Sequence, residues 1–257
     1  MQFLERRVAR AVRDFDLITE GDRILVGVSG GKDSLVLLEA LARRRRWRPE
    51  NYELLACHVV DGVCGPTCSY ASRLGEICAG LDVPLKVITE RTVPTLEELE
   101  TGIRPCWLCS WRRRKVLIKT ADAEGCNLIA LGHHKDDIAE TLLLNLLWQG
   151  RHESMLPKQP LFAGRITLIR PLALTDAGAV ARLARLREYP LHECPCPYAE
   201  DSKRETARQI IRLAREAGVR DVTSNLVRTV FRPDGRREET GAVAVRVAEM
   251  STESEPS

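Results

Sequence analysis

The sequence predicts an α/β fold, a mostly parallel open sheet with helices on both faces. Three observations carry this. Short apolar runs of strand length alternate with longer stretches of helical periodicity from Ile24 to Arg170. Several runs are apolar throughout, the pattern of strands covered on both sides. Glycines and acids punctuate the junctions, and the strand–helix alternation itself favours parallel pairing.

The elements follow in order. Leu4, Val8, Ala11, Val12 and Phe15 recur at helical spacing, so residues 1–22 open with an amphipathic helix. Glu20-Gly21-Asp22 breaks it, and Ile24 to Val28 reads as a buried strand. A glycine turn leads into a helix through Leu35 to Leu41. Further strands are expected at 54–60, 85–88, 128–131 and 167–170, with helices at 70–80, 107–124 and 137–148. Residues 202–217 read as a basic helix and 219–230 as another. The main domain is expected over 23–232, and 233–257, rich in Gly, Glu, Ser and Arg, as a flexible tail.

The 257 residues suffice for one large α/β domain. The longest apolar runs, such as Leu142 to Leu147 with Asn145 inside, are too short to span a bilayer. The N-terminal residues lack the apolar core of a secretory leader, so a cytoplasmic location and no membrane partner are expected. A net charge of +3 is too small to define a polyanionic partner. Its distribution says more: Arg43 to Arg46 with Trp47 and Arg48, and Arg112 to Lys115 with Trp111, place cations beside an aromatic ring. Such clusters neutralise phosphates while the ring stacks on an unpaired base, or they are solvated helix ends.

The most specific motif is Ser29-Gly30-Gly31-Lys32-Asp33-Ser34, set between a strand and a helix. Glycines let the backbone approach an anion, helix-start N–H groups point at it, and Lys32 with the two serines adds charge and donors. The spacing differs from the usual triphosphate loop, which needs Gly, four residues, then Gly-Lys-Ser/Thr. Nine cysteines are many for a reducing compartment, where clustered thiols favour metal binding or catalysis. Cys106 and Cys109 form a C-x-x-C pair, and Cys194 and Cys196 come much later. Cys57 and Cys126 lie on or beside strands and read as core residues. Cys64, Cys68 and Cys78 are a weaker alternative zinc set. Gly132-His133-His134-Lys135-Asp136-Asp137 follows a strand and opens a helix, where open α/β sheets place ligands.

The Ser-Gly-Gly-x-Asp-Ser segment resembles the pyrophosphate (PP) loop of the N-type ATP pyrophosphatase superfamily. Over residues 1–210 the chain resembles the tRNA 2-thiocytidine synthetase family. The segments that carry this are 14–18 with 20–24, the Ser29–Ser34 loop, Cys106-x-x-Cys109-Ser110 with Arg112 to Arg114, Ala130 to Ile138, and Ile169 to Ala173. The resemblance implies ATP with Mg2+ held by Ser29, Gly30, Gly31, Lys32, Asp33, Ser34 and Gly132. It implies a 4Fe-4S cluster on Cys106, Cys109 and a third thiol, Cys196 or alternatively Cys194. Asp137 is the expected acid near Mg2+ or the attacking group, or it caps its helix. Lys115 would steady the adenylated oxygen, or contact a phosphate. The implied reaction adenylates a base 2-oxo group and replaces it with sulfur, at cytidine 32 of an unstacked tRNA anticodon loop. A sulfur donor such as a cysteine desulfurase and a possible homodimer go with it. A 2-thiouridine synthetase, a lysidine synthetase-like enzyme and a zinc or RNA-binding module are the alternatives.

Overall fold

The computed structural model describes residues 2–47, 50–61, 69–102, 105–190 and 203–231. Six strands form one sheet: β1 (Arg23–Gly27), β2 (Glu53–Asp61), β3 (Leu85–Glu90), β4 (Leu128–Ala130), β5 (Lys158–Leu161) and β6 (Ile166–Ile169). Their order is β3-β2-β1-β4-β6-β5, and every pairing is parallel except β5 with β6. The helices among the described residues are α1 (Gln2–Asp14), α2 (Lys32–Arg45), α3 (Ser69–Gly80), α4 (Leu96–Glu100), α5 (Pro105–Ala123), α6 (Lys135–Gln149), α7 (Ala177–Leu186), α8 (Lys203–Glu216) and α9 (Val222–Val230).

Alternation along the strands decides which helices cover which face. Ile24 and Val26 of β1 join a core with α1, α2, α3, α6 and α7, whereas Leu25 joins a second core with Leu117 and Ala121 of α5. Helices therefore lie on both faces, as the sequence predicts. Helix α2 is buried without a break from Ser34 to Ala42 because it sits between sheet and outer helices. Helix α1 is built into the same core: Leu4, Val8, Ala11 and Val12 are each 4% exposed or less. At the far end of the described residues, Phe231 meets Phe15 edge-on at 5.2 Å.

Three elements go beyond the sequence reading. Strand β5 is an antiparallel edge strand containing Pro160, which an edge tolerates because one row of its N–H groups needs no partner. Helix α4 is a short helix closed by a Thr95–Glu98 capping box, and α7 packs on α2 through Val180, Leu183 and Ala184. The expected tail over 233–257 lies outside the described residues. No helix among those described is long and apolar enough to cross a membrane.

Candidate active site

The sheet's order reverses between β1 and β4, since the chain leaves β1 for β2 on one side and reaches β4 on the other. Crevices at such switch points, above the carboxyl ends of strands, are where open α/β sheets hold ligands. Both motif segments meet there. The Ser29–Ser34 loop leaves β1, and Gly132 to His134 leaves β4.

Short internal bonds hold the loop in shape. Ser34 Oγ donates to Gly31 O at 2.8 Å, while Ser29 N donates to Ser34 Oγ at 3.2 Å and Gly31 N to Ser29 Oγ at 3.3 Å. Gly30 has φ +92°, a left-handed conformation that costs glycine little. From outside, buried His58 Nδ1 donates to Val28 O at 2.7 Å, and Tyr70 Oη donates to Gly30 O at 3.2 Å. No side chain caps α2, whose N-cap is Gly31, so its first N–H groups remain for an anion. Lys32 Nζ lies 3.1 Å from Asp33 Oδ2, while Asp33 Oδ1 is buried with no hydrogen-bond partner. A cation seated there would satisfy that oxygen, so the loop fits Mg2+ as well as phosphate.

The β4 segment closes against this loop. A Cβ at Gly132 would stand 3.0 Å from Asp33 C and Ser34 N, so only glycine permits this approach. His134 Nε2 is 3.8 Å from Asp33 Oδ1. His134 and Asp137 cap α6 reciprocally, with His134 N donating to Asp137 Oδ2 at 2.9 Å. Asp136 accepts from Ala177 N at 2.8 Å and pairs with Arg215 at 3.0 Å. Both aspartates thus have structural partners, and Asp33 presents the unclaimed oxygen. Beside them, His133 is held neutral: burial and then the cations Arg170, Arg204 and Arg114 push its pKa down to about 3. Arg170, 4% exposed, donates to Gln159 Oε1 at 3.4 Å and to Leu156 O, and burial lowers its pKa to about 10.

The C-x-x-C pair sits in the first turn of α5. This helix runs from β3 back to β4 antiparallel to both strands, so its start lies at the same carboxyl edge as the loop. Cys106 is exposed and Cys109 half-buried. Cys109 Sγ donates to Thr92 Oγ1 at 3.9 Å, and Thr92 Oγ1 donates to Asp61 Oδ2 at 2.6 Å. Asp61, the last residue of β2, also accepts from Thr92 N and Val93 N at 3.0 and 2.7 Å. Sequence reasoning missed this chain and the brace from His58, because its members are about thirty residues apart with no local pattern. The expected third thiol, Cys196 or Cys194, lies outside the described residues, as do Cys64 and Cys68. Among the described residues no group of three or more His, Cys, Asp or Glu could hold a metal ion.

The remaining cysteines divide cleanly. Cys57 and Cys126 are buried in the α5-side core, and burial pushes the Cys57 thiol up to about 11. Cys78 is 1% exposed in the other core, and burial raises its thiol to about 11. Three cations of the first basic cluster pair within the chain, Arg43 with Glu5, Arg44 with Glu50 and Arg45 with Asp82. Lys115 is exposed and its ammonium lies over the Trp111 ring at 5.2 Å.

A parallel sheet with a glycine turn aimed at phosphates over its switch point defines a nucleotide-binding protein of the PP-loop class, and residues 2–214 match the family model described as PP-loop domain. Over 210 residues the chain is 37% identical to the tRNA-cytidine(32) 2-sulfurtransferase of Aeromonas salmonicida, covering 81% of this chain and 68% of that one. It is 38% identical over 210 residues to the protein of the same name from Anaeromyxobacter dehalogenans, covering 71% of that chain. The chain belongs to this tRNA-cytidine(32) 2-sulfurtransferase family of PP-loop proteins. Among solved structures, the U34-tRNA thiolase NcsA from Methanococcus maripaludis, determined with its 4Fe-4S cluster, superposes with a TM-score of 0.71. The match is 24% identical and covers 88% of this chain and 77% of that one, which shows the shared fold.

Proposed function

We propose that this protein is an ATP-dependent tRNA sulfurtransferase that converts the 2-oxo group of cytidine 32 to a 2-thio group. One observation carries the reading: the phosphate-gripping loop that leaves β1 and the C-x-x-C turn at the start of α5 stand at the carboxyl edge of one sheet. The activity named for the relatives needs both an adenylating centre and a sulfur centre there.

The loop's part is to hold the triphosphate and neutralise it. Backbone N–H groups at the start of α2, Ser29, Ser34 and Lys32 face the phosphates, and Asp33 Oδ1 takes Mg2+. Charge that develops as the base oxygen attacks the α phosphorus and pyrophosphate leaves is met by donors already in place, which is where preorganisation lowers a barrier most. Asp137 caps α6 through one oxygen, and its Oδ1 stands 3.8 Å from Arg204, so it acts by holding the β4 turn against the loop. Gly132 keeps that contact close. Of the two roles open to Lys115, its seat on an exposed ring favours phosphate contact over the adenylated oxygen.

Cys106 and Cys109 supply two soft thiolate donors one helical turn apart, which suits an iron–sulfur cluster. We assign the third ligand to Cys196, with Cys194 as the alternative. Arg204, eight residues after Cys196, lies beside Asp137 at the site and so returns the chain to the same edge. When bound, the cluster supplies an iron able to carry sulfur to the activated base. The chain's own residues position the free thiol: Thr92, held by Asp61, accepts from Cys109 until that thiol gives up its proton.

The test is nucleoside analysis of tRNA from cells with and without the gene. Loss of 2-thiocytidine in the deletion, restored by the wild-type chain but not by a Cys106→Ser variant, is expected. An unchanged content of every thiolated nucleoside removes the assignment.

A further inference from the structure

Helix α5 carries a second feature that the nucleotide loop and the thiols do not use. Trp107, Trp111 and Lys115 are spaced by four residues and so form one stripe. The two indoles are stacked, with centroids 6.4 Å apart and planes 14° from parallel, and Lys115 Nζ sits 5.2 Å from the Trp111 centroid. This is not the core face of the helix, which buries Leu108, Val116, Leu117 and Ala121 instead. Trp107 is 56% exposed and Trp111 39%, so two of the largest apolar rings in the chain stand in water side by side.

The surroundings select what would cover them. From Pro105 to Ala121 the helix has five cationic residues and no acidic one. Arg112 is taken by Glu98, while Arg114, Lys115 and Lys119 are exposed. A flat aromatic surface edged with cations suits a polyanion that presents unstacked planar rings, and an unpaired nucleic-acid strand has both properties. Trp111 has both Trp107 and Lys115 against its ring, and Trp107 is the more exposed of the two indoles. That ring lies between Cys106 and Cys109 in sequence, which places it within the thiol turn itself.

We propose that Trp107 is a stacking platform for an unpaired base of the RNA loop, next to the nucleotide that enters the site, with Trp111 backing the ring and Lys115 meeting a phosphate. The identity of the RNA as tRNA rests on the function proposed above; the platform itself rests on the stripe. It anchors the loop beside the thiol turn while the neighbouring nucleotide is turned out of the stack.

The experiment uses the full chain, purified anaerobically, with two probes: a synthetic anticodon stem-loop RNA and a blunt RNA duplex of equal length. Binding is read by fluorescence anisotropy over a salt series, and ATP binding is titrated separately. Trp107→Ala is expected to weaken stem-loop binding about tenfold or more, the scale of losing one base–aromatic stack. Trp107→Phe should restore most of the affinity, and duplex and ATP binding should not change. Lys115→Gln should lower the slope of log affinity against log salt by about one. Stem-loop affinity unchanged in Trp107→Ala, or equal losses for stem-loop and duplex, overturns the platform and leaves the thiolation reading standing. A wild-type chain that binds no stem-loop overturns both. A Trp107→Ala variant whose sedimentation shows a broken oligomer, with stem-loop affinity per chain intact, assigns the stripe to a second copy and overturns the proposal.

Discussion

Substituting Gly132 by alanine tests whether the close contact between the β4 turn and the nucleotide loop is as tight as the structure requires. The new Cβ would stand 3.0 Å from Asp33 C, 3.0 Å from Ser34 N and 3.1 Å from Asp33 O. Carbon and its neighbours prefer roughly 3.5–4.0 Å, so three backbone contacts fall short by about 0.5 Å. Backbone at the start of a buried helix cannot swing aside as a side chain does, so the turn and loop must part. Overpacking of this kind costs about 1–3 kcal/mol. For a chain of this size that lowers the melting temperature by roughly 2–12 °C. The functional loss should be larger in proportion, since misplacing reacting groups by about 1 Å can cost on the order of a hundredfold. A shift half that size predicts roughly tenfold slower AMP release from ATP. Differential scanning fluorimetry and an AMP-release assay read the two effects, with Gly75→Ala as the control. Gly75 lies within α3 with nothing within 4 Å of its would-be Cβ, so alanine there should stabilise by about 0.5–1 kcal/mol. A Gly132→Ala enzyme with wild-type melting and AMP release would refute the reasoning, as would a Gly75→Ala loss of equal size.

Three further outcomes are expected. Thr92→Val keeps the shape but removes the hydroxyl donated to buried Asp61, so it should cost about 1 kcal/mol in urea unfolding; an unchanged urea midpoint counts against that bond as a brace. Cys106→Ser and Cys109→Ser should each lower bound iron to a small fraction of wild type without weakening ATP binding, because the loop is built without them. His133 sets an acid limb: unfolded it titrates near 6.5 and folded at about 3, so between these values the unfolded chain binds the extra proton and stability rises with pH. The contribution is fully present above about 6.5 and declines toward 3, so His133→Gln should flatten the fall in urea midpoint between roughly pH 7 and 5. Parallel curves for variant and wild type would show that another group sets that limb.

Much of this architecture was legible in the chain because its strongest signals are local. Strands β1 and β2 are apolar on both faces, and the Ser29–Ser34 loop sits where one strand ends and a helix starts. What escaped was set by tertiary context. Strand β5 has Lys158 and Pro160 among its four residues and forms only because β6 offers it an edge. Helix α4 did carry a readable sign in its Thr95–Glu98 box, three residues apart ahead of an apolar position. The basic helix α8 was legible as a helix, but not that Arg204, Arg208 and Arg215 would be turned inward onto Asp137, Glu140 and Asp136 of α6. The same holds for Arg43 to Arg45. Composition leaves them open as an RNA patch or a solvated helix end, and only the fold shows their carboxylates. For Trp107 and Trp111 the spacing of four was visible, yet whether such a pair faces core or water depends on which side of α5 meets the sheet.

One packing detail bears on how catalysis can proceed. A Cβ on Gly27, at the end of β1, would lie 3.1 Å from Leu117 Cδ1 of α5, so the strand that launches the nucleotide loop and the helix that bears the thiols are clamped face to face. That packing sets the spacing between the two workstations. The pliable partner is the nucleic acid, whose loop is bent so that one base is presented to both. Selectivity then follows from how cheaply a given loop can be deformed to that shape, as much as from the letters it displays.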